Sequence, residues 1–367
     1  MYTEKELAAV AKRENNNKRK YLVVNRYQAK HIPVSPSKSL EMFGALADQL
    51  KGKYDGENLL LVGFAETATA IGAALAVELN TCYMQTTREN IDGVEYLYFL
   101  EEHSHSTDQK IVKTDLDRII DEIDRIIFVE DEVTTGNTIL NIIKIIEKTY
   151  SKKLRFSIAS LLNGMDQDAA KLYEDRDIPM HYLVKTSHDG YTRIADGFKG
   201  DGTYWGPDGQ DRGLKVEETA VSGCVNARRL TDGTVYLSAC EHLYRELETR
   251  LNIGTDQDIL VLGTEEFMYP AIFTAKKLEE KGNRVKTHST TRSPIAVSSE
   301  EEYPLHTRYE LASLYDSQRR TFLYDIGTYD HVIILTDSVN EGSQGINTLV
   351  NAIYSCGSHK ISLVRWC

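Results

Sequence analysis

Short, unbroken apolar runs alternate with longer stretches of helical spacing along most of this chain. Leu59-Leu60-Leu61-Val62 is such a run, closed by Gly63, and predicts a buried strand. An Ala-rich stretch from Glu66 to Leu79 predicts the helix after it, and a further strand is expected near Tyr83. Ile126-Ile127-Phe128 predicts another buried strand, while Ile139, Ile142, Ile143 and Ile146 recur at helical spacing. The same order returns later. Ile259-Leu260-Val261-Leu262-Gly263 predicts a strand, a helix is expected from Glu265-Glu266 to Lys281, and a strand runs into Thr290-Thr291-Arg292. His331-Val332-Ile333-Ile334-Leu335 is the counterpart of the run at Ile126, with Asp337 in the place of Asp131. Helices expected at Ser39–Leu50 and Glu241–Leu251 precede the two halves in matching places. The pattern is that of an α/β protein with mainly parallel sheets, built as two tandem Rossmann-like units.

Between the run at Ile126 and the helix at Ile139 stand Glu130-Asp131-Glu132-Val133-Thr134-Thr135-Gly136-Asn137-Thr138. A strand that turns into a helix through Thr, Thr and Gly offers free N–H groups, two hydroxyls and close backbone approach, which suits a monophosphate. The acids just before it would repel that phosphate unless they meet another part of the ligand, such as ribose hydroxyls or a hydrated Mg²⁺. A ligand with a 5'-phosphate, a cis-diol and a metal satisfies the whole stretch. The later half has lost part of this chemistry, because Thr336 stands in the place of Glu130 and Glu341 in that of Thr135. A carboxylate opposes phosphate, so the second unit is expected to be degenerate.

The remaining composition narrows the class. The length of 367 residues suits two domains. With 43 Lys and Arg against 55 Asp and Glu, the formal charge of −12 argues against nucleic acid as a partner. No apolar run reaches the ~20 residues of a membrane helix, and the start lacks the look of a signal peptide, so a cytoplasmic protein without membrane association is expected. Five scattered cysteines without a Cys-x-x-Cys pair argue against a disulfide framework or a zinc site.

The Glu130–Thr138 stretch resembles the 5-phosphoribosyl-1-pyrophosphate (PRPP) signature of the type I phosphoribosyltransferases. Glu132 departs from it, standing where that family usually has an aliphatic residue. Together with Gly63-Phe64-Ala65-Glu66-Thr67-Ala68, Glu101-Glu102-His103-Ser104-His105 and Thr290-Thr291-Arg292-Ser293-Pro294, the chain is similar to a narrower family. These are the orotate-phosphoribosyltransferase-like proteins associated with bacterial tellurite-resistance and stress-response systems, in which a TRSP domain follows the transferase domain.

The resemblance implies a phosphoribosyltransferase domain at 1–185, a linker at 186–218 and a TRSP domain at 219–367, the last a degenerate phosphoribosyltransferase-like unit. It implies a Mg²⁺-dependent enzyme that moves phosphoribosyl between PRPP and a nitrogenous, base-like acceptor. The alternative is a non-catalytic protein that binds PRPP or nucleotides as a regulator; PRPP synthesis, a third reading, lacks a second nucleotide-handling motif. Thr134, Thr135, Gly136, Asn137 and Thr138 would hold the 5'-phosphate, and Glu130 and Asp131 the ribose hydroxyls and, largely through water and PRPP, the metal. Ala65, Glu66 and Thr67 would hold pyrophosphate. Arg88 would neutralise the leaving charge, and His103, His105 and Lys110 would close over it from a mobile hood. A small base or nucleotide is the expected partner, and a homodimer the assembly to look for. The segment Tyr21–Pro33, with Arg26 and Lys30, reads equally as a lid over an acidic base and as ordinary surface. Gly200–Gly209 reads as a linker or as a loop whose Tyr204 or Trp205 stacks on a ring.

Overall fold

A computed structural model describes residues 1–14, 19–99, 109–340 and 344–367. The contacts form two compact units, one of residues 1–4, 41–188 and 225–238, the other of 5–40, 189–224 and 239–367. These groupings differ from the boundaries expected at 1–185, 186–218 and 219–367. The 186–218 stretch is structured, with a helix at Tyr191–Gly197 and a strand at Thr203–Trp205. Lys30 is buried in the second unit, where its Nζ donates to the carbonyls of Glu265 and Thr290 at 2.8 and 2.9 Å. Those bonds fix its ammonium on backbone oxygens, which is a structural task rather than that of a base lid.

In the first unit the sheet order is Thr231–Asp232, Cys82–Gln85, Leu59–Gly63, Arg125–Val133, Arg155–Asn163, Met180–Lys185. All pairs are parallel except the two-residue edge at Thr231. The central strands are apolar through their middles because a parallel sheet is covered on both faces; Leu60, Leu61, Val62, Ile126, Ile127 and Phe128 are fully buried. The helix after the first strand spans Thr69–Leu79, later than the expected Glu66, because residues 64–68 form a turn of their own. It is buried from Thr69 to Ala76, so small side chains are required around it. A Cβ on Gly72 would lie 3.0 Å from the Gly63 Cα and 2.8 Å from the Tyr83 ring. Tyr83 fills that space and donates its hydroxyl to the Thr69 carbonyl at 2.8 Å.

The second unit has the sheet order Glu217–Val221, Ile361–Trp366, His331–Thr336, Asp258–Gly263, Arg284–Ser289, entirely parallel. Its four strands from Arg284 to Ile361 follow the order of the strands at Cys82, Leu59, Arg125 and Arg155. The edges differ: the strand at Met180 follows its sheet in sequence, whereas the one at Glu217 precedes it. Each unit also inserts an antiparallel hairpin before its third strand, Tyr96–Phe99 with Gln109–Val112 and Thr307–Ala312 with Arg320–Tyr324. The helix expected from Glu265 starts at Tyr269, with Pro270 at its opening where the missing N–H costs nothing. Among the described residues no helix is long and apolar enough to cross a membrane.

Candidate active site

The strand Arg125–Val133 carries its apolar register to Val129 and then exposes Glu130, Asp131 and Glu132 in part, at the carboxyl edge of the sheet. Ligands of open α/β sheets collect at that edge. Thr134 and Thr135 form the bend, and Gly136 opens the helix Asn137–Thr149 with φ of 73°. Glycine is needed there twice over. The positive φ disfavours other residues, and a Cβ would lie 2.4 Å from the Tyr173 hydroxyl. That hydroxyl donates to the Gly136 carbonyl at 2.6 Å, fixing the loop from the neighbouring helix Gln167–Glu174. Burial, with the charge of Glu130 adding to it, pushes the Tyr173 phenol well above its ordinary range and keeps it a donor. The Asn137–Thr149 helix buries Ile139, Leu140, Ile142, Ile143 and Ile146, so its N-terminus is held at the sheet edge by packing.

The turn after Gly63 meets this loop directly. Thr67 donates its hydroxyl to the Asp131 Oδ1 at 2.9 Å. The Asp131 carboxyl is raised above the usual carboxylate range by burial, then by the charge of Glu132, with the Thr67 bond opposing both. An acid held so has an affinity for cationic or donor groups that water does not meet. On its other side the turn is clamped by two buried polar residues. The Ala65 N–H donates to Thr86 Oγ1 at 2.8 Å, Thr86 donates to Gln109 Oε1, and the Gln109 amide donates to the Ala65 carbonyl. Gln109 lies on the hairpin, so turn and hairpin share one network.

Arg88 is partly buried and follows Thr87, whose N–H and C=O pair with Lys110 at 2.8 and 3.2 Å. Lys110 is buried; its Nζ lies 4.5 Å from the centre of the Tyr96 ring and donates to Asn90. The structure thus places Glu130, Asp131, Thr134–Thr138 and Ala65–Thr67 around one edge, with Lys110 on the hairpin strand bridged to Thr87, the residue before Arg88. His103 and His105 lie outside the described residues. Thr86, Gln109, Tyr173 and His188 are the positioning groups that the linear motif did not single out.

Residues 7–187 match a family model described as phosphoribosyl transferase, and residues 231–353 one described as the TRSP domain C-terminal to it. The chain belongs to the phosphoribosyltransferases that carry a C-terminal TRSP domain. No curated protein matches it in sequence. Among solved structures it is similar to adenine phosphoribosyltransferase from Rhodothermus marinus, at 15% identity, covering 50% of this chain and 96% of that one with a TM-score of 0.34. The Giardia lamblia enzyme complexed with 9-deazaadenine is 14% identical over 50% of this chain and 95% of that one, with a TM-score of 0.36. The Trypanosoma brucei adenine phosphoribosyltransferase, in complex with AMP, pyrophosphate and ribose-5-phosphate, is 16% identical, covering 41% and 65% with a TM-score of 0.31.

The edge formed by Glu130, Asp131 and the Thr134–Thr138 loop is rich in hard oxygen donors, a donor set that suits Mg²⁺. Among the described residues no group of three or more His, Cys, Asp or Glu side chains is arranged to hold a metal. Two carboxylates without a full protein cage fit an ion that keeps most of its water and meets substrate oxygens.

Proposed function

We propose that the first unit transfers phosphoribosyl between PRPP and a nitrogenous base with the help of Mg²⁺. The observation that carries this reading is the Thr67–Asp131 hydrogen bond of 2.9 Å, which ties the turn suited to pyrophosphate to the strand that leads into the phosphate loop. Backbone N–H groups and hydroxyls of Thr134 to Thr138 bind the 5'-phosphate, with the helix dipole behind them. Glu130 and Asp131 accept from the ribose hydroxyls, and their charge stabilises the positive character that develops at C1. The bond from C1 to the pyrophosphate oxygen breaks with its electron pair leaving on pyrophosphate, while the base nitrogen bonds to C1. Residues 65–67 receive the pyrophosphate, and Arg88 offers a planar fork of donors to it. Bound Mg²⁺, held by Glu130 and Asp131 mostly through water, would neutralise charge on the pyrophosphate and ribose oxygens. His103, His105 and Lys110 close the site against water in this reading.

The second unit is read as a degenerate copy. Its turn repeats two hydrogen bonds of the first: Glu265 N–H to Thr290 Oγ1 at 3.0 Å answers Ala65 to Thr86, and Thr290 N–H to the Gly263 carbonyl at 3.1 Å answers Thr86 to Gly63. The bridge of Thr291 with Phe322 answers that of Thr87 with Lys110. A cytoplasmic, homodimeric enzyme acting within the tellurite-associated stress response completes the proposal. The test is pyrophosphate release from PRPP with Mg²⁺ over a panel of bases. Release with one base supports the transferase; PRPP binding without release for any base would replace it with a regulatory binding protein.

A further inference from the structure

Transfer chemistry uses Glu130 and Asp131 and leaves Glu132 without a task. Its surroundings are built, not solvated. The Glu132 side chain is 11% exposed, and its Oε1 lies 3.1 Å from Nε2 of His188, itself 14% exposed. The same Nε2 is 3.1 Å from the Thr186 hydroxyl, and the Thr186 N–H extends the sheet by donating to the Asn163 carbonyl at 2.8 Å. Gly164 makes room for the ring, since a Cβ there would stand 2.3 Å from His188 Nε2. An acid so far withdrawn from water is costly to keep, which asks for a reason.

Strand geometry places Glu132 beside the ligand. Alternation sets Glu130 and Glu132 on one face and Asp131 on the other, with the two glutamates about 7 Å apart along the strand. The register puts Ser160 next to Glu130 and Leu162 next to Glu132. Ser160 is 1% exposed, and its hydroxyl has no hydrogen-bond partner among the described residues. A buried hydroxyl of that kind calls for a bound group at this face. With the ribose at Glu130 and the phosphate on the loop after Val133, the face that carries Glu132 is where a base attached to C1 arrives. This step rests on the phosphoribosyl-transfer reading above.

We propose that Glu132, positioned by His188 and Thr186, selects the acceptor: a neutral nitrogenous base that presents amino or ring N–H donors. A carboxylate only accepts hydrogen bonds, so it pairs with such an edge and rejects acceptor groups. An acidic heterocycle such as orotate brings a second negative charge to a half-dry site and is refused by repulsion. The aliphatic residue usual at this position cannot make either distinction.

The test compares wild type, Glu132→Val and His188→Ala, using calorimetric PRPP affinity with Mg²⁺ and pyrophosphate release with adenine, hypoxanthine, cytosine and orotate. Wild type is expected to use a donor-bearing neutral base and not orotate. Glu132→Val should lose at least about 100-fold in kcat/KM for that base while keeping its PRPP affinity, as a site deprived of a specific hydrogen bond does. His188→Ala should raise KM for the base more than it lowers kcat. Orotate as preferred acceptor, no turnover of any neutral base, or an unchanged base profile in Glu132→Val would overturn the assignment while PRPP binding still stood. Absence of PRPP binding by wild type would instead remove the transferase reading itself, and this assignment with it.

Discussion

The turns at Gly63 and Gly263 share two anchoring hydrogen bonds and differ in chemistry. In both, a Thr hydroxyl on the next strand accepts from the turn, through Thr86 in one and Thr290 in the other. The first turn presents Ala65 and leaves Thr67 to meet Asp131. The second presents Glu265 and Glu266, whose carboxylates are fully buried and taken up by arginines. Arg319 lies 2.9 Å from Glu265, and Arg292 lies 2.8 Å from Glu266 and 3.6 Å from Glu265. Arg292 stands where the first unit has Arg88. In the second unit that arginine is held by the protein's own acids. Asp337, in the place of Asp131, accepts from Tyr315 at 2.6 Å. A similar strand-to-helix turn thus carries different side-chain partners: Glu266 keeps the acid of Glu66, while Glu265 stands in the place of Ala65 and Phe267 in that of Thr67.

The largest effect that would sharpen this contrast is on stability. Glu265→Leu leaves Arg292 and Arg319 without their shared carboxylate and should cost about 3–5 kcal/mol in denaturant unfolding. Arg88→Met should cost little stability and much turnover. Equal losses of stability for the two would break the comparison. Next, Asp131→Asn should lower kcat by about 10²–10³-fold, the usual loss when one charge-stabilising group is removed, while Asp337→Asn stays within about twofold. Because burial disfavours the Asp131 charge, the same Asp131→Asn change should raise the melting temperature of the free protein.

Acid should act on the second unit through its histidines. His288 and His331 are buried, which lowers both to about 4 from 6.5. The unfolded chain then binds more protons between those values, so stability is full above about pH 6.5 and falls as pH drops towards 4, by no more than about 3 kcal/mol for each. Melting from pH 7 to 4 should show that loss, and His331→Gln should remove part of the slope. The smallest effect is expected from Gln109→Leu. It strips the clamp from the Ala65 carbonyl and Thr86, and should weaken pyrophosphate binding about tenfold with little change in acceptor KM.

Much of this was legible in the sequence where the signal was local. The apolar runs at Leu59, Ile126, Ile259 and His331 are strands because both faces of a parallel sheet are covered, and the nine contiguous residues Glu130–Thr138 spell a strand that turns through Gly136 into a helix. Groups joined across the fold were not legible. Thr86 and Gln109 meet only because the hairpin returns to the turn, and Glu132 meets His188 only through the order of three strands. Lys30 sits in the second unit because hydrophobic period cannot say which sheet a segment joins. Helix starts came late at both turns, since residues 64–68 and 264–268 form turns of their own before the helices open at Thr69 and Tyr269. The expected counterpart of Thr135, Glu341, lies outside the described residues.

The central claim is that one edge of this chain, and not both, receives PRPP. Titrating PRPP with Mg²⁺ into wild type, Thr135→Glu and Asp337→Asn by calorimetry tests it most directly. The account predicts one PRPP per chain, lost in Thr135→Glu by like-charge repulsion and kept in Asp337→Asn. Two PRPP per chain, or binding that survives Thr135→Glu, would contradict it.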